Sequence, residues 1–444
     1  MNSSTYQNLR MQFPVFRYEG FTLELENQNL VIHYNFSIEG LTSFISTFVF
    51  PEGRFEQTSI VPLLSRLGMI EALSYWKATC SPRFEIQVPD ISSDEFDFWQ
   101  HLYWEGLSEF RYRNVIKSSK EAFVNFSSSG TTQQLPCYQR TTTGNLVPIG
   151  GGKDSIVTLE LLKPFRESNH LFYLNPRPAC IRSGELGGYT PDQTTTVTRT
   201  LDKELFRLNK EGFLNGHTPY SALLAFTSLV TAALLEKEYI VLSNEGSASE
   251  GNVAGESVNH QYSKSLEFEN SFRDYVRQFL TGNINYFSLL RPLHEAQIGK
   301  LFAQHPKYFS AFRSCNVGCY HDNWCSECSK CLFTALLLAP HITSTELATI
   351  FLSNPLDNTS LTEVLLDLCL PDRVKPFECV GTREESIASA RFLLSRDTPF
   401  PLLTAVADKL PAGKSLHELL NDWSKEHNLP PECESLVWSA TQND

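Results

Sequence analysis

The chain has 444 residues, 41% hydrophobic and 20% charged, enough for about two or three globular domains with substantial cores. Its formal net charge of −13 argues against a nucleic-acid partner, and no run approaches the ~18 apolar residues of a membrane span. Met1–Thr5 lacks the basic and apolar regions of a signal peptide, so a cytoplasmic location is expected, where the 11 cysteines read as thiols or metal ligands before disulfides.

Phe21–Glu26 and Leu30–Phe36 alternate with period two around Asn27-Gln28-Asn29, which predicts a hairpin. Ile60–Trp76 and Glu95–Phe110 carry apolar residues at helical spacing; Trp99, Leu102, Tyr103 and Leu107 read as core rather than as a cofactor box. The small, polar stretches Ser127–Thr132 and Thr141–Gly144 mark the end of an N-terminal α+β domain, residues 1–140, in which no catalytic motif stands out.

Residues 141–340 alternate between strand and helix, the pattern of an α/β fold with a parallel sheet. Leu146–Ile149 ends a buried strand, Ile156–Leu162 resumes at helical spacing, and Gly150-Gly151-Gly152-Lys153-Asp154-Ser155 lies between them. Glycine allows a sharp turn and close ligand approach, and the free N–H groups at a helix start form an anion site suited to phosphate. This is not a Walker loop, because Asp154 follows Lys153 and Val147 stands where the first glycine is required.

His170–Leu174 is the next strand, Thr218-Pro219 supplies an N-cap and first residue for a helix over Tyr220–Leu235, and Tyr239–Ser243 is a further strand. That strand runs into the polar stretch Asn244–Asn252. Ligands of parallel sheets bind beyond the carboxyl ends of strands, so Asn244, Glu245 and Ser247 are candidate substrate contacts in one crevice with the glycine loop. His260, Tyr262 and Lys264, within Val258–Ser265, are candidates for phosphate or carboxylate contacts; a solvated surface loop is the alternative. His217, in Asn215-Gly216-His217, is either a site residue or only a hydrogen-bond partner for a helix start.

Cys325-x2-Cys328-x2-Cys331 brings three thiolates onto one turn, and a fourth from Cys315 or Cys319 closes a tetrahedron. Four soft thiolates suit structural Zn²⁺ and leave no position for a catalytic water; an iron–sulfur cluster or buried free thiols are the alternatives. Residues 341–444 read as helices over Thr345–Leu352, Leu361–Leu368, Glu384–Ser395 and Leu416–Glu426 with proline-rich breaks. They form a C-terminal helical cap that either shields the crevice from water or simply packs.

The order Gly-Gly-Lys-Asp-Ser resembles the pyrophosphate loop, Ser-Gly-Gly-x-Asp-Ser/Thr, of the PP-loop ATP pyrophosphatases, with Gly150 in place of the usual serine. That resemblance implies an adenine nucleotide alpha-hydrolase-like core that cleaves ATP between the α and β phosphates and adenylates a carboxyl or amide oxygen. Gly150, Gly151, Gly152, Lys153, Asp154 and Ser155 would bind the nucleotide, and Asp154 would contact Mg²⁺. The cysteine spacing resembles the zinc site of the 7-cyano-7-deazaguanine synthases, which implies Cys315 as fourth ligand and Cys319 as extra.

More of the chain is similar to the MurL family, through Pro148–Ser155, Asn215–Pro219, Ser243–Asn252, Val258–Ser265, Tyr286–Leu293 and Pro376–Thr382 in that order. This resemblance implies ATP-dependent inversion of the terminal L-Glu of UDP-N-acetylmuramoyl-L-Ala-L-Glu during peptidoglycan precursor synthesis, with a functional link to the ligase that adds L-Glu. Cys379, outside the cysteine cluster, is a candidate proton carrier, and His217, His260 and Lys264 compete with it; a buried inert thiol is the other reading of Cys379. Two further functions remain: another PP-loop reaction, such as amide or nitrile formation or tRNA thiolation, and a nucleotide-binding regulator. Intact Lys153, Asp154 and Ser155 argue against the regulator.

Overall fold

The computed structural model describes residues 3–51, 57–88, 90–128, 138–397 and 399–442; Met1, Asn2 and residues 129–132 of the expected boundary loop lie outside them. Among the described residues, ten strands form one sheet. They are β1 (Val15–Glu26), β2 (Asn29–Ile38), β3 (Thr42–Pro51), β4 (Arg83–Ile86), β5 (Asn125–Ser128), β6 (Asn145–Pro148), β7 (Asn169–Leu174), β8 (Thr194–Thr200), β9 (Tyr239–Leu242) and β10 (Asn285–Ser288). Across the sheet the order is β10-β9-β6-β7-β8-β3-β2-β1-β4-β5.

The first five of these are mutually parallel. The chain starts in their middle with β6, runs outward through β7 and β8, then returns to the other side of β6 with β9 and β10. A parallel sheet opens a crevice where its strand order reverses, and here that point lies between the ends of β6 and β9. Strand β3 pairs antiparallel with β8, Thr47 opposite Thr200, so the sheet continues across the residue-140 boundary expected from the sequence.

The predicted hairpin is β1–β2, closed by Asn27 and Gln28 at φ 50° and 72°. Two successive left-handed residues match the twist of a two-residue hairpin turn. Alternate side chains of the parallel strands face opposite cores. Leu146, Phe172, Ile240 and Tyr286 join one core with the N-terminal aromatics and the helix Tyr220–Leu234. Val147, Leu171, Val241 and Phe287 join the other, with the helices Lys153–Leu161, Glu295–Ala303 and Ser329–Leu338 and the C-terminal helices.

Three expectations need correction. The helix over Glu95–Phe110 is two helices, Phe96–Gly106 and Ser108–Arg113, turned at Leu107. Gly106 lies against the ring of Pro219, where a Cβ would approach to 2.8 Å. Pro219, with a non-helical ψ of 75°, is the N-cap rather than the first helical residue, and no side chain caps that helix. The helix from Leu416 stops at Leu420 rather than Glu426. The other predicted C-terminal helices, observed as Ser344–Ile350, Thr362–Cys369 and Arg383–Leu394, share the second core, and the loop 375–382 leads from them into the crevice.

Candidate active site

The glycine loop follows β6 directly. Gly151 has φ 75°, and an added Cβ would lie 2.8 Å from the Cys180 nitrogen, so both conformation and space demand glycine here. The Arg313 amide donates to the Gly151 carbonyl at 2.9 Å, and Gly152 is the N-cap of the helix Lys153–Leu161, whose first-turn N–H groups no side chain of that residue caps.

Lys153 is buried, and its ammonium pairs with Asp154 and Glu295. Asp154 follows β6, Glu245 follows β9 and Glu295 opens the helix after β10, and their carboxylate oxygens lie within 4.8 Å of one another. Burial pushes the Glu295 carboxyl up to about 7 despite Lys153. Burial also opposes ionisation of Asp154, but Lys153, Lys330 and Lys264 together hold that group below its ordinary value. Three converging hard oxygen donors fit Mg²⁺. Glu295 was not singled out from the sequence; the available signal was an acid a few residues beyond a strand end.

Buried Arg291 braces this half, donating to the Glu245 carbonyl at 2.7 Å, the Lys264 carbonyl at 2.7 Å and the Glu269 carboxylate at 3.0 Å. Asn244 donates to the Ser288 hydroxyl at 3.1 Å. The Ser247 hydroxyl is buried, with no hydrogen-bond partner among the described residues. Tyr262 packs in the core, 6.1 Å from Phe268 and 5.8 Å from His101 between ring centres, because neighbours on the short turn Tyr262–Lys264 diverge and only Lys264 points toward Cys379.

The second half is built around Cys379. The Lys264 ammonium donates to its sulfur at 3.3 Å, and the Lys330 ammonium donates to its carbonyl. Burial would raise the thiol, but Lys264, His260 and Lys330 together bring it down to about 6. His260 Nδ1 lies 2.5 Å from the Glu109 carboxylate. Burial would neutralise His260, yet Cys379 and Glu109 raise it to about 9. His217 stands 3.6 Å from the same carboxylate, with its ring 4.3 Å from that of His260. Burial and the His260 charge push it down to about 4. The cluster is thus a thiolate–imidazolium pair backed by a carboxylate and a neutral imidazole.

The structure therefore gathers all four proposed proton carriers, Cys379, His260, Lys264 and His217, and adds Glu109 from a region where no motif was expected. The signal for Glu109 was faint: it lies seven residues after Leu102, on the buried face of the predicted helix. Glu109, His217 and His260 also meet the geometry of a metal group, but the short Glu109–His260 bond already uses one donor from each.

Cys315, Cys325, Cys328 and Cys331 hold their sulfurs within 4.8 Å, with pairs at 3.5, 3.7 and 3.9 Å. A tetrahedron with Zn–S bonds of about 2.3 Å has edges of about 3.8 Å, so the residues fit Zn²⁺. Cys319 stands apart and donates to the Asn316 carbonyl at 2.9 Å.

The model of the MurL N-terminal domain matches residues 7–289, and that of the MurL C-terminal domain matches residues 309–418. The chain belongs to the MurL family. Its relatives include the UDP-N-acetyl-alpha-D-muramoyl-L-alanyl-L-glutamate epimerase of Xanthomonas oryzae pv. oryzae, 34% identical over 78% of this chain and 78% of that protein. The Micromonospora sp. protein of the same name is 31% identical over 84% of this chain and 86% of its own length. A third, from Salinispora tropica, is 31% identical over 79% and 77%. No solved structure matches the chain. The first family model spans both Glu109 and Asp154, and the second spans the four-cysteine site and Cys379.

Proposed function

We propose that this MurL-family protein adenylates the carboxylate of the terminal L-Glu of UDP-N-acetylmuramoyl-L-Ala-L-Glu with release of pyrophosphate and inverts the activated residue, after which water hydrolyses the adenylate to give D-Glu and AMP. The observation that carries the reading is the shared lysine layer. Arg291 joins the Glu245 and Lys264 carbonyls, the Lys264 ammonium donates to the Cys379 sulfur, and the charges of Lys264 and Lys330 act on both the acidic trio and the thiol, which supports reading the two groups as one site.

Chemistry explains why one crevice needs both halves. A carbon beside an ionised carboxylate resists losing its proton, because a second negative charge would develop. An adenylated carboxyl has lost that charge and offers a carbonyl to delocalise the carbanion. The glycine loop and the first-turn N–H groups of its helix are placed to bind the departing pyrophosphate. Asp154, Glu245 and Glu295 would hold Mg²⁺, which supplies charge neutralisation at the phosphates. Cys315, Cys325, Cys328 and Cys331 would hold Zn²⁺ structurally.

Cys379, ionised at neutral pH, takes the α-proton. Lys264 and Lys330 place positive charge beside the developing enolate, and Glu109 keeps His260 charged. His260 and neutral His217 are the remaining groups of the cluster able to carry a proton to the opposite face. A nucleotide-linked substrate fits a cytoplasmic setting, downstream of the ligase that adds L-Glu. Among the described residues no helix is long and apolar enough to cross a membrane.

Incubation with the dipeptide substrate, ATP and Mg²⁺, followed by chiral analysis of the released glutamate, tests the reading. D-Glu accompanied by AMP and pyrophosphate is expected. AMP with glutamate left in the L form, or a new amide, would favour another PP-loop reaction.

A further inference from the structure

The four-cysteine turn and the Cys379 loop, distant in sequence, are joined by one side chain. Glu378 Oε2 accepts from the Ser329 hydroxyl at 2.7 Å and from the Lys330 amide at 2.8 Å. Both donors lie between Cys328 and Cys331, at the start of the ten-residue helix Ser329–Leu338, where a carboxylate satisfies free N–H groups and meets the positive end of the helix. Lys330 also donates from its side chain to the Cys379 carbonyl, so one turn grips two consecutive residues.

The rest of the loop is anchored elsewhere. Asn252 donates to the Pro376 carbonyl at 2.9 Å, Gln261 to the Val380 carbonyl at 3.2 Å and Lys375 to the Gly381 carbonyl at 3.2 Å. Asn252 also accepts from the His260 amide at 2.8 Å, which sets His260 relative to the same loop. Removing the Glu378 contacts would leave the turn's hold on the peptide bearing the thiol to the Lys330 side chain alone.

We propose that Glu378 is a positioning residue: it fixes the Cys379 thiol against Lys264 and His260 by tying its peptide to the metal-binding turn Cys328–Cys331. The inference rests on the reading of Cys379 as a proton carrier. It makes the cysteine quartet the abutment for the reacting thiol, beyond its part in folding.

The test is the pH profile of Cys379 alkylation by iodoacetamide, followed on the Cys379 peptide by mass spectrometry in the zinc-loaded full-length protein. The midpoint reports the groups facing the sulfur, namely Lys264, His260 and Lys330, with Glu109 and His217 behind them, and does not depend on how readily the reagent enters. Glu378→Ala should raise the midpoint by about one unit or more, a tenfold or greater loss of thiolate in acidic buffer, with zinc content unchanged. Ser329→Ala, which removes one of the two contacts, should give a smaller rise, and Glu378→Gln, which keeps an acceptor oxygen, should stay near the wild type. An unmoved midpoint in zinc-loaded Glu378→Ala overturns the proposal. Because the readout is not activity, an active Cys379→Ala protein would instead refute the proton-carrier reading.

Discussion

In the half of the crevice proposed to activate the carboxylate, Asp154, Glu245 and Glu295 follow three parallel strands, and the glycine loop is one unbroken run of sequence. In the thiol half, Glu109, His217, His260 and Cys379 come from four separated segments, and each is ionised or neutral because of the others. The first half follows from general properties of strand ends and helix starts. The second exists only through tertiary placement, so removing one member should change the protonation of the neighbour it touches.

Removing one member from each half should separate their roles. Asp154→Asn should abolish both ATP–pyrophosphate exchange and epimerisation. Cys379→Ala should lower epimerisation by about 10³-fold while leaving substrate-dependent pyrophosphate exchange within about threefold of the wild type. Equal loss of both activities in Cys379→Ala would mean that the halves are not separable.

A smaller effect is expected from Glu109→Gln, about 10- to 100-fold in kcat, because the carboxylate that keeps His260 charged is lost. The wild-type pH–rate profile should rise as Cys379 ionises near pH 6 and fall as His260 loses its proton near pH 9. Glu109→Gln should move the alkaline limb down, since the neutral imidazole is no longer opposed, and leave the acid limb nearly in place.

In the activating half, Gly151→Ala should cost about 1–3 kcal/mol of stability by urea unfolding, from a strained φ and contact with the Cys180 backbone. Gly150→Ala should cost under about 0.5 kcal/mol, because no atom lies within 4 Å of its added Cβ. The smallest effect belongs to Tyr262→Phe. With its ring in the core, KM for the nucleotide substrate should change less than about twofold, whereas a larger rise would return Tyr262 to the crevice.

The same contrast decides what could be read before the structure. The hairpin, the glycine loop and the alternation after residue 141 depend on local period and turn chemistry, and each was legible. Strand β8 was not, because Thr194–Thr200 is polar; its threonines are β-branched strand formers, and their pairing with β3 is long-range. Glu109 escaped because an acid on an amphipathic helix is ordinary until His260, 151 residues away, is seen beside it. The four cysteines were legible as a group, and geometry chose Cys315 over Cys319. Their attachment to Cys379 through Glu378 carried no sequence signal.

The central claim is that one crevice activates a carboxylate and moves the proton beside it. The direct measurement is deuterium at the glutamate α-carbon after incubation with UDP-N-acetylmuramoyl-L-Ala-L-Glu, ATP and Mg²⁺ in D₂O, counted against AMP formed. α-Deuterium that requires ATP and appears together with AMP and pyrophosphate is expected. AMP formation with the α-proton retained would contradict it.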